Sequence, residues 1–546
     1  MKQKKTFVLL ALFVFTSGLF AQPLTITDSA VALITTNRKY FQLPEGKPYG
    51  ETIQADRMKW LIDTLASDAM QGRETGEEGQ RIAADFIAGQ FKEMGLPPVA
   101  DRNTYFQYIQ MKRESWKDIG LKVDGNEYKD RTDFYAFPTD NDGAPALEMK
   151  DILFVGSGIE SKNYSDYADA DVKGKAVLMY NGEPQDASGK FLASENEFRS
   201  AWSLDWKRKV RLAAQKGAVM VFIIDTDLKS SVRENRRALS SRGWRSSAPG
   251  TDPTSEGLTN SMFITPEVAD AMMGKKSGKA AEALAELHKG QGFKPIRFKK
   301  KIELTMEKND YTLDSSNVIG FIEGSDENLK NQYVIVTAHY DHLGKVDDVI
   351  YNGADDNASG TAGVIAIAQA FAKAKKDGVG PKRSVVCMLV SGEEKGLLGS
   401  RFYVDFPIFP LERTIVNINI DMIGRIDERH AGNPNYVYVI GSDRLSSELH
   451  EINEFSNKQY TKLDLDYKYN DVNDPNRYYQ RSDHYNFAER GIPAIFYFNG
   501  THPDYHKASD TREKIDPAAA AKRAQLAFYT AWDIANRPSP IAPDRK

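Results

Sequence analysis

The chain has 546 residues, with 72 lysines and arginines against 76 acids and a single cysteine. At about 100–200 residues per domain, that length implies two to four domains, and 41% hydrophobic with 27% charged residues excludes a largely disordered or fibrous protein. A net charge of −4 offers no electrostatic footprint for nucleic acid. The lone Cys387 excludes an intramolecular disulfide and a cysteine-rich zinc module, so any metal must be held by His, Asp and Glu.

Lys2, Lys4 and Lys5 precede an apolar run over 7–15 and a small residue, Ala21. This pattern reads as a secretory signal peptide over 1–21, and the run is shorter than the about 20 apolar residues that span a bilayer. A retained N-terminal anchor is the rival reading. Cleavage removes three lysines and no acid, which carries the net charge from −4 to −7. The expectation is an exported protein (periplasmic, extracellular or on the outer surface) without a membrane span once the leader is gone.

Residues 22–50 lack a period and read as an N-terminal extension. Met58, Leu61, Ile62, Leu65 and Ala69 share one helical face. A glycine-punctuated loop follows over 71–79, and a second helix carries Ala83, Phe86, Ile87, Phe91 and Met94 inward and stops at Gly95. The character shifts near 145 and again near 300. Between them, β-like runs over 151–155 and 176–180 precede a helix around 209–216 and a strand over 218–224. Residues 228–261 are rich in Ser, Gly and Arg and read as an exposed loop, with Arg233, Arg236, Arg237, Arg242 and Arg245 solvated.

From 317 onward, apolar strands over 317–322, 333–338, 384–390, 415–420, 436–440 and 492–498 alternate with helical stretches, notably the Ala-rich 361–374. Fully apolar strands separated by helices predict an α/β fold: a mixed, mostly parallel sheet covered by helices on both faces. The domain plan is then one α/β unit in two parts, 51–145 and 301–537, split by an inserted β-rich domain over 146–300, with a tail over 538–546.

Three strand ends and one helix-opening loop carry the chemistry. The 333–338 run leads into His339-Tyr340-Asp341-His342, and the 384–390 run into Ser391-Gly392-Glu393-Glu394. The 415–420 run leads into Asp421, and Gly353-Ala354-Asp355-Asp356-Asn357-Ala358-Ser359-Gly360 opens the Ala-rich helix. In α/β sheets, ligand groups gather beyond the carboxyl ends of the strands. Singly, Asp355, Asp356 and Asp421 read as turn or cap residues, and Glu393-Glu394 as the solvated first turn of a helix. Together they are costly unless a cation compensates them, and a hard-to-borderline metal with His, Asp and Glu ligands is the natural one. Ser482-Asp483-His484 and Asp504-Tyr505-His506 add candidates near the C-terminus, while His288, His430 and His450 read as surface residues and His342 and His502 lie closer to the cluster.

These motifs, with Asn419-Ile420-Asp421-Met422-Ile423-Gly424 and His506, resemble the secreted double-zinc aminopeptidase family, related to glutamate carboxypeptidases and glutaminyl cyclases. Asp171-Val172-Lys173-Gly174-Lys175 and Lys216-Gly217-Ala218 make the insertion resemble a protease-associated domain. The resemblance implies the zinc exopeptidase fold and two Zn²⁺ per chain. It places Asp355 as the bridging ligand, His339 and Asp421 at one ion, and Glu394 and His506 at the other. It implies Glu393 as general base, Asp341 as the carboxylate that orients His339, and a cis peptide at 355–356. Tyr479 is the implied oxyanion-stabilising tyrosine, with Tyr478 an equally placed competitor. The substrates implied are peptides, cleaved from the N-terminus. A carboxypeptidase or dipeptidase is the near alternative, for which Arg425 and Arg481 could supply the carboxylate-binding cation. A glutaminyl-cyclase-like acyltransferase and a non-catalytic ectodomain are more distant ones. Asp464, Asp466, Asp471 and Asp474 read as a solvated loop, and Cys387 as a buried packing residue.

Overall fold

The structure, a computed structural model, describes residues 43–162, 164–186, 188–193, 201–239, 244–247, 257–274, 278–287, 294–346 and 348–545. The leader expected at 1–21, most of the extension after it, Arg242 and His288 lie outside the described residues. Among the described residues, no helix is long and apolar enough to cross a membrane.

Helices α1 (Ala55–Leu65) and α2 (Glu78–Glu93) lead into strand β1 (Phe106–Val123). Next along the chain come β2 (Ala144–Phe154), β3 (Ala176–Tyr180), α3 (Trp206–Gln215), β4 (Met220–Ile224), β5 (Ser261–Ile264) and α4 (Pro266–Met273). A 27-residue strand, β6 (Ile296–Ile322), follows and pairs with β1. Then come β7 (Tyr333–His339), α5 (Gly360–Lys376), β8 (Ser384–Val390), α6 (Leu398–Asp405) and β9 (Thr414–Ile420). The chain ends in β10 (Tyr436–Ile440), α7 (Ser447–Ser456), β11 (Ala494–Phe498) and α8 (Pro517–Asn536).

In one half of a continuous sheet the order is β10-β11-β9-β7-β8-β6. Strands β7, β8, β9 and β11 run parallel, while β6 and β10 border them antiparallel. All of β7 and β8 is buried, as expected of strands covered on both faces. Alternation of side chains across the pleat sends Val334, Val336 and Ala338 with Cys387 and Leu389 toward α1, α2, α5 and α8. It sends Ile335, Val386, Met388 and Val390 to the other face, against Tyr403 and Val404 of α6. The mixed sheet with helices on both faces, and the buried Cys387, match the sequence expectation.

The other half continues from β6 through β2, antiparallel, to β3, β4 and β5, all parallel. Its core takes in Leu121, Val123 and Phe134 before residue 146, and Ile302 and Leu304 after 300. Strand β1 and the first half of β6 escape the sequence reading. They form a long antiparallel ribbon whose charged, alternating residues stay partly exposed, so no apolar run marks them. The described part of the expected loop over 228–261 is also more ordered than its composition suggests. It holds a helix (Leu228–Glu234), buries Leu228 and Leu239, and pairs Arg245–Ser246 with β1. Arg245 is not solvated but ion-paired with Glu114.

Helix α8 covers the sheet because Asp516 caps its first turn and Pro517 starts it. Trp532 is its largest buried side chain, stacked on Tyr49 and Phe371 with ring centroids at 5.5 and 5.6 Å. Trp532→Ala should lower unfolding free energy by about 3–5 kcal/mol, read from the denaturant midpoint.

Candidate metal centre

Because β7, β8 and β9 are parallel, their carboxyl ends share one edge. His339 closes β7, Glu393 and Glu394 follow β8, and Asp421 follows β9. The 353–360 loop enters the same space between β7 and α5. Gly353 opens it at φ 53°, and a Cβ there would collide with the Asp356 carbonyl and the His342 ring, so only glycine fits. Asn357 ties the loop to the end of β9: its amide donates to the Ile420 carbonyl at 3.1 Å, and its Oδ1 accepts from Met422 N.

Two donor clusters result. His339, Glu393 and Asp421 form one, and His342, Asp356 and Glu394 the other, each with its ligand atoms within 4.8 Å of one another. Asp356 joins them. Its Oδ1 lies 3.3 Å from His339 Nε2 and its Oδ2 lies 3.0 Å from His506 Nε2. His339 Nε2 is also 3.3 Å from Asp421 Oδ1, and His506 Nε2 is 3.3 Å from Glu394 Oε2. His342 Nδ1 approaches Glu394 Oε1 to 2.9 Å. His342 thus enters the cluster, and His506 does so at a left-handed backbone angle of 56°.

The electrostatics fit a group of positive charge. Burial alone would depress His506, yet Asp356 and Glu394 push it up to about 10. Burial likewise opposes His339, and Asp421 and Glu393 still raise it well above the ordinary range. Burial and the negative neighbours Glu394 and Asp421 raise Glu393 well above the carboxylate range. Converging carboxylates and imidazoles with no thiolate are the donor set of zinc or a similar divalent ion, so the residues present fit two such ions.

Asp341 is fully buried, but its carboxylate does not orient His339. His339 Nδ1 meets the Asp341 main-chain carbonyl at 3.1 Å, and the carboxylate stands 3.9 Å away. That carboxylate instead accepts the backbone N–H groups of Glu393 and Glu394 at 3.2 and 3.4 Å and the Thr75 hydroxyl at 2.7 Å. The loop over 71–79 thereby becomes part of the site. Arg73, fully buried beside Thr75, donates to the carbonyls of Leu65, Tyr340, Asn352 and Gly353.

Two sequence expectations are displaced by one residue, and of the two candidate tyrosines it is Tyr478 that lines the pocket. Asp355, expected as the bridge, points away from the two clusters. Its Oδ1 accepts from Gly424 N at 2.6 Å and Ser359 Oγ at 3.0 Å, and its Oδ2 from Asn499 at 3.0 Å with His502 Nε2 3.2 Å distant. Asp356 is the acid that lies between the clusters, toward His339 and His506. The cis peptide is at Asp356–Asn357. Tyr479 packs against His484 and Tyr485; the pocket over the clusters is lined instead by Tyr478 and Tyr505, with Met422, Phe496 and Phe498. Ser482 donates to Asp421 Oδ2 at 2.7 Å. His430 and His450 are not surface residues: His430 stacks on Tyr436 at 3.5 Å, and His450 pairs with Ser442 at 2.9 Å.

Comparison with known proteins finds relatives of the region that carries these residues. The sequence model of peptidase family M28 matches residues 317–531. A probable leucine aminopeptidase of Trichophyton verrucosum (strain HKI 0517) is 28% identical over 242 residues, 43% of this chain and 61% of the relative. A probable zinc metalloprotease of Pyrenophora teres f. teres (strain 0-1) is 24% identical over 301 residues, 48% of this chain and 60% of the relative. The chain thus spans about three fifths of the length of these curated relatives. The aminopeptidase from Aneurinibacillus sp. strain AM-1 aligns over 91% of this chain and 97% of its own, at 20% identity and a TM-score of 0.45.

The shift from Asp355 to Asp356 has a direct readout. After zinc loading and dialysis, Asp356→Ala should lose both ions by elemental analysis, whereas Asp355→Asn should retain two ions per chain.

Proposed function

We propose, on the premise that residues 317–531 give this chain a peptidase family M28 domain, that the protein is a two-zinc exopeptidase that removes N-terminal residues from peptides. The observation that carries the proposal is the position of Asp356, one oxygen toward His339 and the other toward His506, with Glu393 on the wall of the same pocket.

In this reading His339, Asp421 and Asp356 would hold one ion, and Asp356, Glu394 and His506 the other, with His342 bracing Glu394. When bound, the two ions supply Lewis acidity to the scissile carbonyl and lower the pKa of water. Glu393 accepts a proton from the attacking water and returns it to the leaving amine. Its backbone is fixed for this task by the Asp341 carboxylate, which takes the N–H groups of both glutamates. Tyr478 and Tyr505 supply the hydroxyl groups on the pocket wall that can face the developing oxyanion. The pocket's apolar side, Met422, Phe496 and Phe498, accepts an apolar side chain of the substrate.

The inserted lobe, read as a protease-associated domain, contributes a wall near the catalytic glutamates. Arg245–Ser246 pairs with Met111–Lys112 of β1, and Met111 packs beside Gly392. Export rests on the basic and apolar start of the chain. Both sets of metal donors are complete, which favours hydrolysis over a cyclase-like acyl transfer.

The zinc-loaded protein should cleave amino-acid anilides and unblocked peptides, lose activity with chelator, and leave N-acetylated peptides intact. Glu393→Gln should keep two zinc ions while kcat falls about 10²–10⁴-fold; full activity in that variant would overturn the assignment. His506→Ala should hold one zinc ion instead of two after dialysis.

A further inference from the structure

The cations around the pocket differ in what they already bind. Arg73 is spent on four main-chain carbonyls. Arg425 pairs with Asp504 at 3.0 Å and lies 3.8 Å from Asp510. Lys395 pairs with Glu74 at 2.9 Å.

Arg481 is different. It lines the same pocket as His339, Asp356, Glu393 and Asp421, is exposed at its rim, and has no carboxylate partner among the described residues. Its guanidinium donates to the Tyr505 hydroxyl at 3.3 Å and lies 4.9 Å over the Tyr478 ring. The Tyr505 ring in turn stacks on His506 at 3.9 Å. Two pocket tyrosines therefore hold a free cation at the mouth, adjacent to the metal donors. A guanidinium fixed on an aromatic face keeps its planar fork for an incoming acid and loses little further freedom when it binds.

We propose that Arg481 binds a substrate carboxylate, so that the preferred substrates are short peptides with a carboxylate next to the scissile bond. This rests on the exopeptidase reading above and narrows its substrate class. The group recognised is a carboxylate, supplied either by the free C-terminus of a dipeptide or by an acidic side chain on the residue released. The other ionisable groups that line the pocket, apart from its tyrosines, are His339 and the acids Asp356, Glu393 and Asp421 of the donor clusters, so a substrate anion meets its cation at Arg481. Its geometry suits a bidentate, charge-assisted pair.

The test compares leucylglycine with leucylglycinamide, and glutamyl anilide with glutaminyl anilide, on the zinc-loaded full chain. Wild type should prefer the carboxylate member of one pair by about tenfold or more in kcat/KM. The pair that responds identifies the source of the carboxylate. Arg481→Gln should collapse that ratio to about one, through KM rather than kcat, and Arg481→Lys should restore part of it. Calorimetric binding of leucylglycine, leucylglycinamide, glutamate and glutamine to zinc-loaded Glu393→Gln protein, with and without Arg481→Gln, gives a readout independent of turnover. Arg481-dependent binding of a carboxylate ligand in a protein that hydrolyses nothing would overturn the exopeptidase reading and leave this inference standing. Equal use of both members of each pair by wild type, or an equal loss on all substrates in Arg481→Gln, would overturn the role of Arg481.

Discussion

Negative charge gathered at one buried sheet edge is the constraint that the rest of the structure answers. Asp356, Glu393, Glu394 and Asp421 converge where β7, β8 and β9 end, and Asp341 lies fully buried beneath them. Carboxylates so placed repel one another and lose hydration, which only nearby positive charge or donated hydrogen bonds can offset. Asp356 carries the largest share of this arrangement, since each of its oxygens faces a different histidine. His342, His339 and His506 outweigh its burial and hold it well below the ordinary carboxylate range.

Donated hydrogen bonds then fix the backbone around the ligands. Asp510 accepts the N–H groups of Asp355 and Asp356 at 3.0 and 3.1 Å, Asp341 accepts those of the two glutamates, and Asp355 accepts that of Gly424. Each acid outside the donor clusters thus aims a segment that carries one inside them, as supporting partners of metal ligands commonly do. Arg73 and Thr75 bring the loop between α1 and α2 into the same network from about 270 residues away in sequence. The metal centre is consequently tied to the packing of the N-terminal helices as well as to the strands that bear its ligands.

Much of this was legible because it is local. Apolar strand runs that end in His339, Glu393 and Asp421 announce both the sheet and its functional edge, since parallel strands are buried on both faces and their ends collect polar groups. The long ribbon of β1 and β6 was not legible, because an antiparallel pair with partly exposed faces needs no apolar run. Arg245 read as solvated for the same kind of reason: its partner Glu114 lies on a strand that the pattern does not reveal. His430 and His450 have polar sequence neighbours, yet the rings and hydroxyl that cover them come from Tyr436 and Ser442.

The sequence by itself determined which chemical groups reach the edge of the sheet: two-metal donor types, a paired glutamate, and tyrosines and an arginine nearby. Only the tertiary structure decided which member of each adjacent pair faces inward. Asp355 and Asp356 are equivalent in composition, but Gly424, Ser359 and Asn499 capture the first and leave the second to the histidines. Tyr478 and Tyr479 divide in the same way, one toward the pocket and one against His484. Neighbours in a chain point in different directions, and contacts from segments remote in sequence set which direction meets the site.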